Sequence, residues 1–128
     1  MTEPPATPTD FPGLAGRLNA AKIKVSDWVS GDAGCPDPEL VKTAIRFSAA
    51  GLDQARPVPL YLYVFRNRDA FERNQARIGP CAASFVTDAA TYEQIEQSPY
   101  VLAGQGPWAP EFEKVLRSTL ELAAGTGG

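Results

Sequence analysis

Histidine is absent from this chain of 128 residues. Its absence removes the usual general base at neutral pH, the Ser-His and Cys-His nucleophile pairs, and the commonest metal ligand. Cysteine occurs only twice, so a zinc site would need carboxylates to complete it. No Cys-x-x-Cys spacing is present, which argues against a redox pair. Asp32 and Asp37 share a loop, but the Asp-x-Asp-x-Asp-Gly pattern of a calcium loop is missing. Neither a metal nor a cofactor is expected. No apolar run approaches the ~20 residues that a bilayer-spanning helix needs. Concentrated positive charge is also lacking. The net charge is −3, and Arg66, Arg68, Arg73 and Arg77 share their segment with Asp69 and Glu72. No nucleic-acid partner is expected.

What is present has the length of one domain. The most informative stretch is 60–78, where the period changes. Leu60, Leu62 and Val64 alternate with Tyr61, Tyr63 and Phe65, and a period of two predicts a strand. Both of its faces are apolar or aromatic, so the strand is expected at the centre of a sheet covered on both sides. From Phe71 the spacing turns helical, with Phe71, Gln75 and Ile78 on one face and Glu72, Arg73 and Arg77 turned away. Asn67 or Asp69 can cap that helix, and Asp69 with Glu72 fits a capping box.

Residues 1–10 are rich in Pro and Thr and predict a disordered linker. They lack the apolar core of a signal peptide and look like the polar tether that follows a removed signal or a lipidated cysteine. The folded domain is expected over 11–123, with a flexible tail at 124–128. A short helix starts near Pro12, with Leu14, Leu18 and Ala21 inward, and a strand begins at Ile23. Trp28 and Val29 break that strand's alternation, so a bulge or the strand's end is expected there. Residues 31–38 form a Gly, Pro and Asp loop carrying Cys35. Residues 39–52 fit either helix or strand. The preferred reading is a helical turn after Pro38 and a strand near 44–50, with 51–59 as the hairpin loop. Further on, 78–81 reads as a helix stop, 81–87 as a strand, 88–94 as a polar turn or short helical piece, and 100–105 as a strand. A rigid Gly, Pro and Trp loop at 104–110 leads to a last helix from Pro110, with Phe112, Val115, Leu116, Thr119 and Leu120 inward.

The fold class expected is α+β: a single domain with a mostly antiparallel sheet of about four or five strands and about three helices packed on it. Cys35 and Cys81 both fall in predicted turns, and an even count in loops suits one disulfide and an oxidising compartment. Two buried thiols in a cytosolic protein are the alternative.

The order helix, strand, hairpin, helix, strands, helix is carried by Leu14-Ala-Gly-Arg-Leu-Asn-Ala-Ala-Lys-Ile-Lys-Val25, by 60–78 and by 100–122. It resembles uncharacterised small bacterial extracytoplasmic proteins, often lipoprotein-like, with a Pro/Thr-rich tether. The resemblance implies location and fold class, and supplies no activity or catalytic residue.

Three functions compete. The first is an extracytoplasmic binding module for a small molecule, a cell-wall component or a protein partner. Trp108, Tyr61, Tyr63 and Arg66 are its candidate binding residues. Prolines flanking Trp108 would hold an anchor ring at low entropic cost, or the ring folds back as a plug over the core. The second is a cofactor-free enzyme of hydrolase, cyclase or isomerase type, using Glu72, Glu93 or Glu96, or the tyrosines with Arg66 or Arg68. The third is an accessory domain tethered by its N-terminus, with no integral membrane segment.

Overall fold

The fold was obtained as a computed structural model, which describes residues 11–65, 68–97 and 100–124. The elements run α1 (Phe11–Ala20), β1 (Ile23–Ser30), α2 (Pro38–Val41), β2 (Ala44–Gly51), β3 (Gln54–Val64), α3 (Arg68–Ala82), β4 (Tyr92–Gln97), β5 (Tyr100–Gln105) and α4 (Pro110–Ala124). A single 3-10 turn, Ala89–Thr91, leads into β4. The five strands form one antiparallel sheet in the order β1-β2-β3-β5-β4. The chain is therefore α+β, with α1, α3 and α4 packed on an antiparallel sheet. The linker at 1–10, Arg66, Asn67 and the tail at 125–128 lie outside the described residues.

Period two puts alternate residues of β3 on opposite faces. Leu60 and Leu62, opposite Phe47 and Ile45, join the layer beneath α1 and α4. Leu14 and Leu18 of α1 and Phe112, Leu116 and Leu120 of α4 close that layer. Tyr63, opposite Ala44 and Val101, faces α2 and α3, where Leu40, Ile78 and Cys81 complete a second cluster. The central strand is covered on both sides, as its sequence requires. Each fully buried apolar side chain of this kind contributes roughly 1.5–3 kcal/mol.

Five segments depart from the sequence reading. The segment 51–59 is not a hairpin loop, because β3 already begins at Gln54. The prolines concealed it. Val64 N donates to Thr43 O at 3.1 Å, and that phase turns the backbone nitrogen of Pro59, opposite Ser48, away from β2. Pairing with β5 starts only at Tyr61, so the missing N–H costs no ladder bond. Residues 78–81 are not a stop, since α3 runs through Gly79 and Pro80 to Ala82. Gly79 has no Cβ for the proline ring to meet, which removes much of the usual objection to helix before proline. Residues 81–87 are consequently the end of α3 and a closing turn rather than a strand, with Phe85 N and Val86 N bonded to Ala82 O. The segment 88–94, read as a polar turn or short helical piece, does open on the 3-10 turn Ala89–Thr91, but β4 begins within it at Tyr92. It is an edge strand with only Ile95 buried, and its Glu and Gln residues hid it. At the C-terminus, α4 reaches Ala124, one residue into the expected tail.

The start of α4 is held from a distance. Asp53, in the β2–β3 turn, accepts hydrogen bonds from Glu111 N at 3.0 Å and Phe112 N at 2.9 Å. The Glu111 N–H, followed by that of Phe112, holds the Asp53 carboxyl below its usual range against partial desolvation, which pushes it up. A carboxylate with a lowered folded pKa stabilises above its unfolded value, and loses that contribution as pH falls through the folded one. Asp53→Ala is therefore expected to lower the melting midpoint at neutral pH, with the gap to wild type closing on acidification. A melting series across pH reads this directly. A gap that persists in acid would remove the Asp53 charge from the account.

Candidate functional site

The loop at 31–37 and helix α3 build the most developed surface feature. Asp32 Oδ1 accepts from Gly34 N at 2.9 Å and turns the chain. Gly34 has φ +80°, and a Cβ there would lie 2.5 Å from Phe85 Cδ2 and 3.1 Å from Tyr61 Cε1. Only glycine lets the loop pass over those rings. The two rings stack with centroids 4.2 Å apart. Cys35 then joins Cys81 on α3 in a disulfide with a Cα–Cα distance of 5.3 Å. The expected pairing is therefore present, although Cys81 lies in a helix rather than a turn. Asp37 caps α2, accepting from Glu39 N at 3.0 Å.

Between the loop and α3 runs an open groove of about 610 Å³. Cys35, Pro36, Asp37 and Pro38 form one bank. Ala76, Arg77, Pro80, Cys81 and Ser84 form the other. Its walls are mostly apolar, and one ion pair bridges them. Arg77 Nη1 lies 3.2 Å from Asp37 Oδ1 and 3.1 Å from Oδ2. Partial desolvation pushes the Asp37 carboxyl up, but Arg77 and the Glu39 and Leu40 N–H groups together hold it below its usual range. On the far side of Arg77 a second, more polar hollow of about 530 Å³ lies between α2 and α3, bordered by Glu39, Lys42, Arg73 and Asn74. Arg77 belongs to both.

The residues singled out in the sequence divide between the two faces of the sheet. Tyr63 is fully buried under the loop and donates its hydroxyl to Ala33 O at 2.8 Å. Cys81 Sγ lies 3.1 Å from the same oxygen; a disulfide sulfur carries no proton, so this is a packing contact. Burial raises the Tyr63 pKa, with Tyr92, Tyr61 and Asp32 adding to it. Tyr61 is half-buried beside it. Both tyrosines therefore support the underside of the disulfide loop. Trp108 lies on the opposite face, 5% exposed, among Leu60, Leu102 and Phe112. This is the plug rather than an exposed anchor.

The carboxylates disperse as well. Glu93 and Glu96, three apart in a strand, point to opposite faces. Glu96 is exposed and accepts from Gln94 Nε2 at 3.0 Å. Glu93 accepts the Trp108 backbone N–H, and desolvation with the nearby Glu113 pushes its carboxyl up. Glu72 lies exposed on α3. No group of three or more Cys, Asp or Glu side chains among the described residues is placed to hold a metal ion.

No family model, no curated protein and no solved structure matches this chain. The site must be argued from its own chemistry. The groove residues Arg77, Pro80 and Ser84 were missed because the predicted helix stopped short of Cys81. With the helix continued, 77, 81 and 84 follow helical spacing on one side, which is the signal that places Arg77 beside the disulfide.

Proposed function

We propose that the chain is a binding module working outside the cytoplasm, with its ligand, a small molecule or a short segment of a partner protein, held in the groove between residues 35–38 and α3. The observation that carries this reading is the covalent joining of the groove's two banks. The disulfide and three prolines keep the trough in one shape, so little freedom is lost when a ligand enters. Its volume falls within the ~300–1,000 Å³ of small-molecule sites. Its apolar walls give contact area, and the Asp37–Arg77 pair offers one acceptor and one donor group for orientation. The disulfide also supports an oxidising compartment. Tethering to the envelope through residues 1–10 belongs to the same reading.

Two measurements test it. In intact cells, blocking free thiols with a maleimide before lysis is expected to leave Cys35 and Cys81 unlabelled; labelling of both would remove the location. A small-molecule fragment screen read by amide chemical shifts is expected to give perturbations clustered on 35–38 and 76–84. Perturbations scattered elsewhere, or none, would remove the groove. Ser84→Trp, which fills the trough from its exposed rim, is expected to abolish those shifts without lowering the melting midpoint.

A further inference from the structure

The groove does not end at Arg77. Along α3, Arg73, Asn74 and Arg77 border the polar hollow, and Arg77, Pro80 and Cys81 border the groove. Steps of three and four place all of them on one side of the helix. From Arg73 to Cys81 that stripe covers roughly 12 Å of axis, at ~1.5 Å per residue. The facing bank keeps the same order. Residues 35–38 meet the groove, and Glu39, Lys42 and Thr43 meet the hollow. The two cavities are therefore neighbours in one channel, apolar at the Pro80 end and polar at the Arg73 end. The Asp37–Arg77 pair crosses between them.

The polar end suits an anion. Three cations, Lys42, Arg73 and Arg77, border the hollow, against one carboxylate, Glu39. Each cation already has a carboxylate partner, but these are exposed pairs that a ligand can compete with. Lys42 reaches Glu39 at 3.4 Å and Arg73 reaches Asp69 at 3.2 Å, both cationic side chains being 69% exposed. Donors also remain. Arg77 meets Asp37 through Nη1 alone, and Arg73 meets Asp69 through Nε alone. Among the described residues, Arg77 Nη2 and both Arg73 Nη atoms keep their hydrogens for a ligand. Two guanidinium groups four residues apart on one side of a helix can share a head group, and their planar forks suit carboxylate and phosphate oxygens.

We propose that the ligand of this channel is a small amphiphilic anion. Its carboxylate or phosphate sits among Lys42, Arg73 and Arg77, and its apolar body crosses the Asp37–Arg77 bridge into the groove beside Pro36 and Pro80. This rests on the groove reading above and adds the head group to it. A neutral ligand would leave the three cations unused, and a bare anion would leave the apolar walls unused.

The test titrates the full chain with hexanol, hexanoate, hexyl phosphate and inorganic phosphate, read by amide chemical shifts. Both hexyl anions are expected to bind at least about tenfold more tightly than hexanol, the effect of one hydrogen bond to a charged group. They are expected to perturb 39–43 and 70–77 as well as 35–38 and 80–84. The larger of the two gains identifies the head group. Their affinity is expected to fall as salt rises, while that of hexanol holds. Inorganic phosphate alone is expected to bind far more weakly than hexyl phosphate. Lys42→Gln and Arg73→Gln are each expected to cut the preference for the anions over hexanol by about fivefold, the upper value for an exposed charge pair. Both side chains are largely in water, so the melting midpoints are expected to stay at the wild-type value. Hexanol binding in the groove as tightly as the hexyl anions would overturn the anionic head and leave the groove reading standing. Hexyl probes that all miss 35–38 and 76–84 would overturn both. The proposal also falls if the variants keep the wild-type preference, or if inorganic phosphate binds as well as hexyl phosphate.

Discussion

Loss of the Cys35–Cys81 bond is expected to destabilise the protein by ~4 kcal/mol, which for a domain of this size lowers the melting midpoint by on the order of 15 °C. The bond closes a loop spanning a sequence separation of 46. That loop includes α2, β2 and the central strand β3, so its closure restricts much of the unfolded chain. Natural contacts at the same place cannot substitute. The Asp37–Arg77 pair is water-exposed, and the Tyr63 hydroxyl bond to Ala33 is a single neutral contact. Two routes to the same state make the measurement decisive. Wild type with reductant and the double variant Cys35→Ala/Cys81→Ala should melt at similar temperatures, and reductant should leave the variant unchanged. The groove should suffer first, because loop 31–37 loses its anchor while the layer beneath α1 and α4 is untouched. Amide shifts at 33–38 and 77–84 would report this below the melting transition. A wild-type midpoint insensitive to reductant would mean that the bond is not holding the folded state.

The parts of this fold that were legible in sequence are those where local pattern and tertiary demand agree. Residues 60–64 alternate because both sheet faces are covered, and α4 shows Phe112, Leu116 and Leu120 at helical spacing because one of its sides meets the sheet. The illegible parts are those where a neighbour overrides the local signal. Pro57 and Pro59 announce a loop, yet they sit in β3 where no second strand asks for their N–H. Gly79 and Pro80 announce a stop, yet α3 continues to the residue that Cys35 holds. The polar strand β4 announces a turn because an edge strand is selected to be unattractive to further strands. The groove fell inside one of these errors. Its far bank is the last turn of α3, and a reading that ends the helix early has no bank to place.

Trp108 carries the second large effect. Trp108→Ala is expected to destabilise by roughly 3–5 kcal/mol, the range for removing a large aromatic from a packed core. The ring is 5% exposed and shares its layer with Leu60, Leu102, Phe112 and Leu116. Gly104 makes room for it: a Cβ at that position would lie 3.2 Å from Trp108 Cζ2 and 3.0 Å from Leu60 Cδ2. The backbone around it is held from two other strands, by Glu93 at Trp108 N and by Gln54 Oε1 at Ala109 N, 3.0 Å. One atom works against this arrangement. The indole Nε1 is buried and has no hydrogen-bond partner among the described residues. A buried donor left unmade costs ~1–3 kcal/mol. Trp108→Phe removes that donor while keeping most of the ring, so its loss of apolar contact is partly offset. The two substitutions should therefore separate widely, Phe remaining close to wild type in a denaturant melt and Ala falling far below it. An anchor for a partner would show the opposite pattern, with both variants as stable as wild type and the ligand-dependent shifts lost. Equal melting of wild type and Trp108→Ala would return the ring to the surface and reopen it as a binding residue. A large loss of stability fixes it as the plug that lets loop 104–110 close over the sheet and set the start of α4.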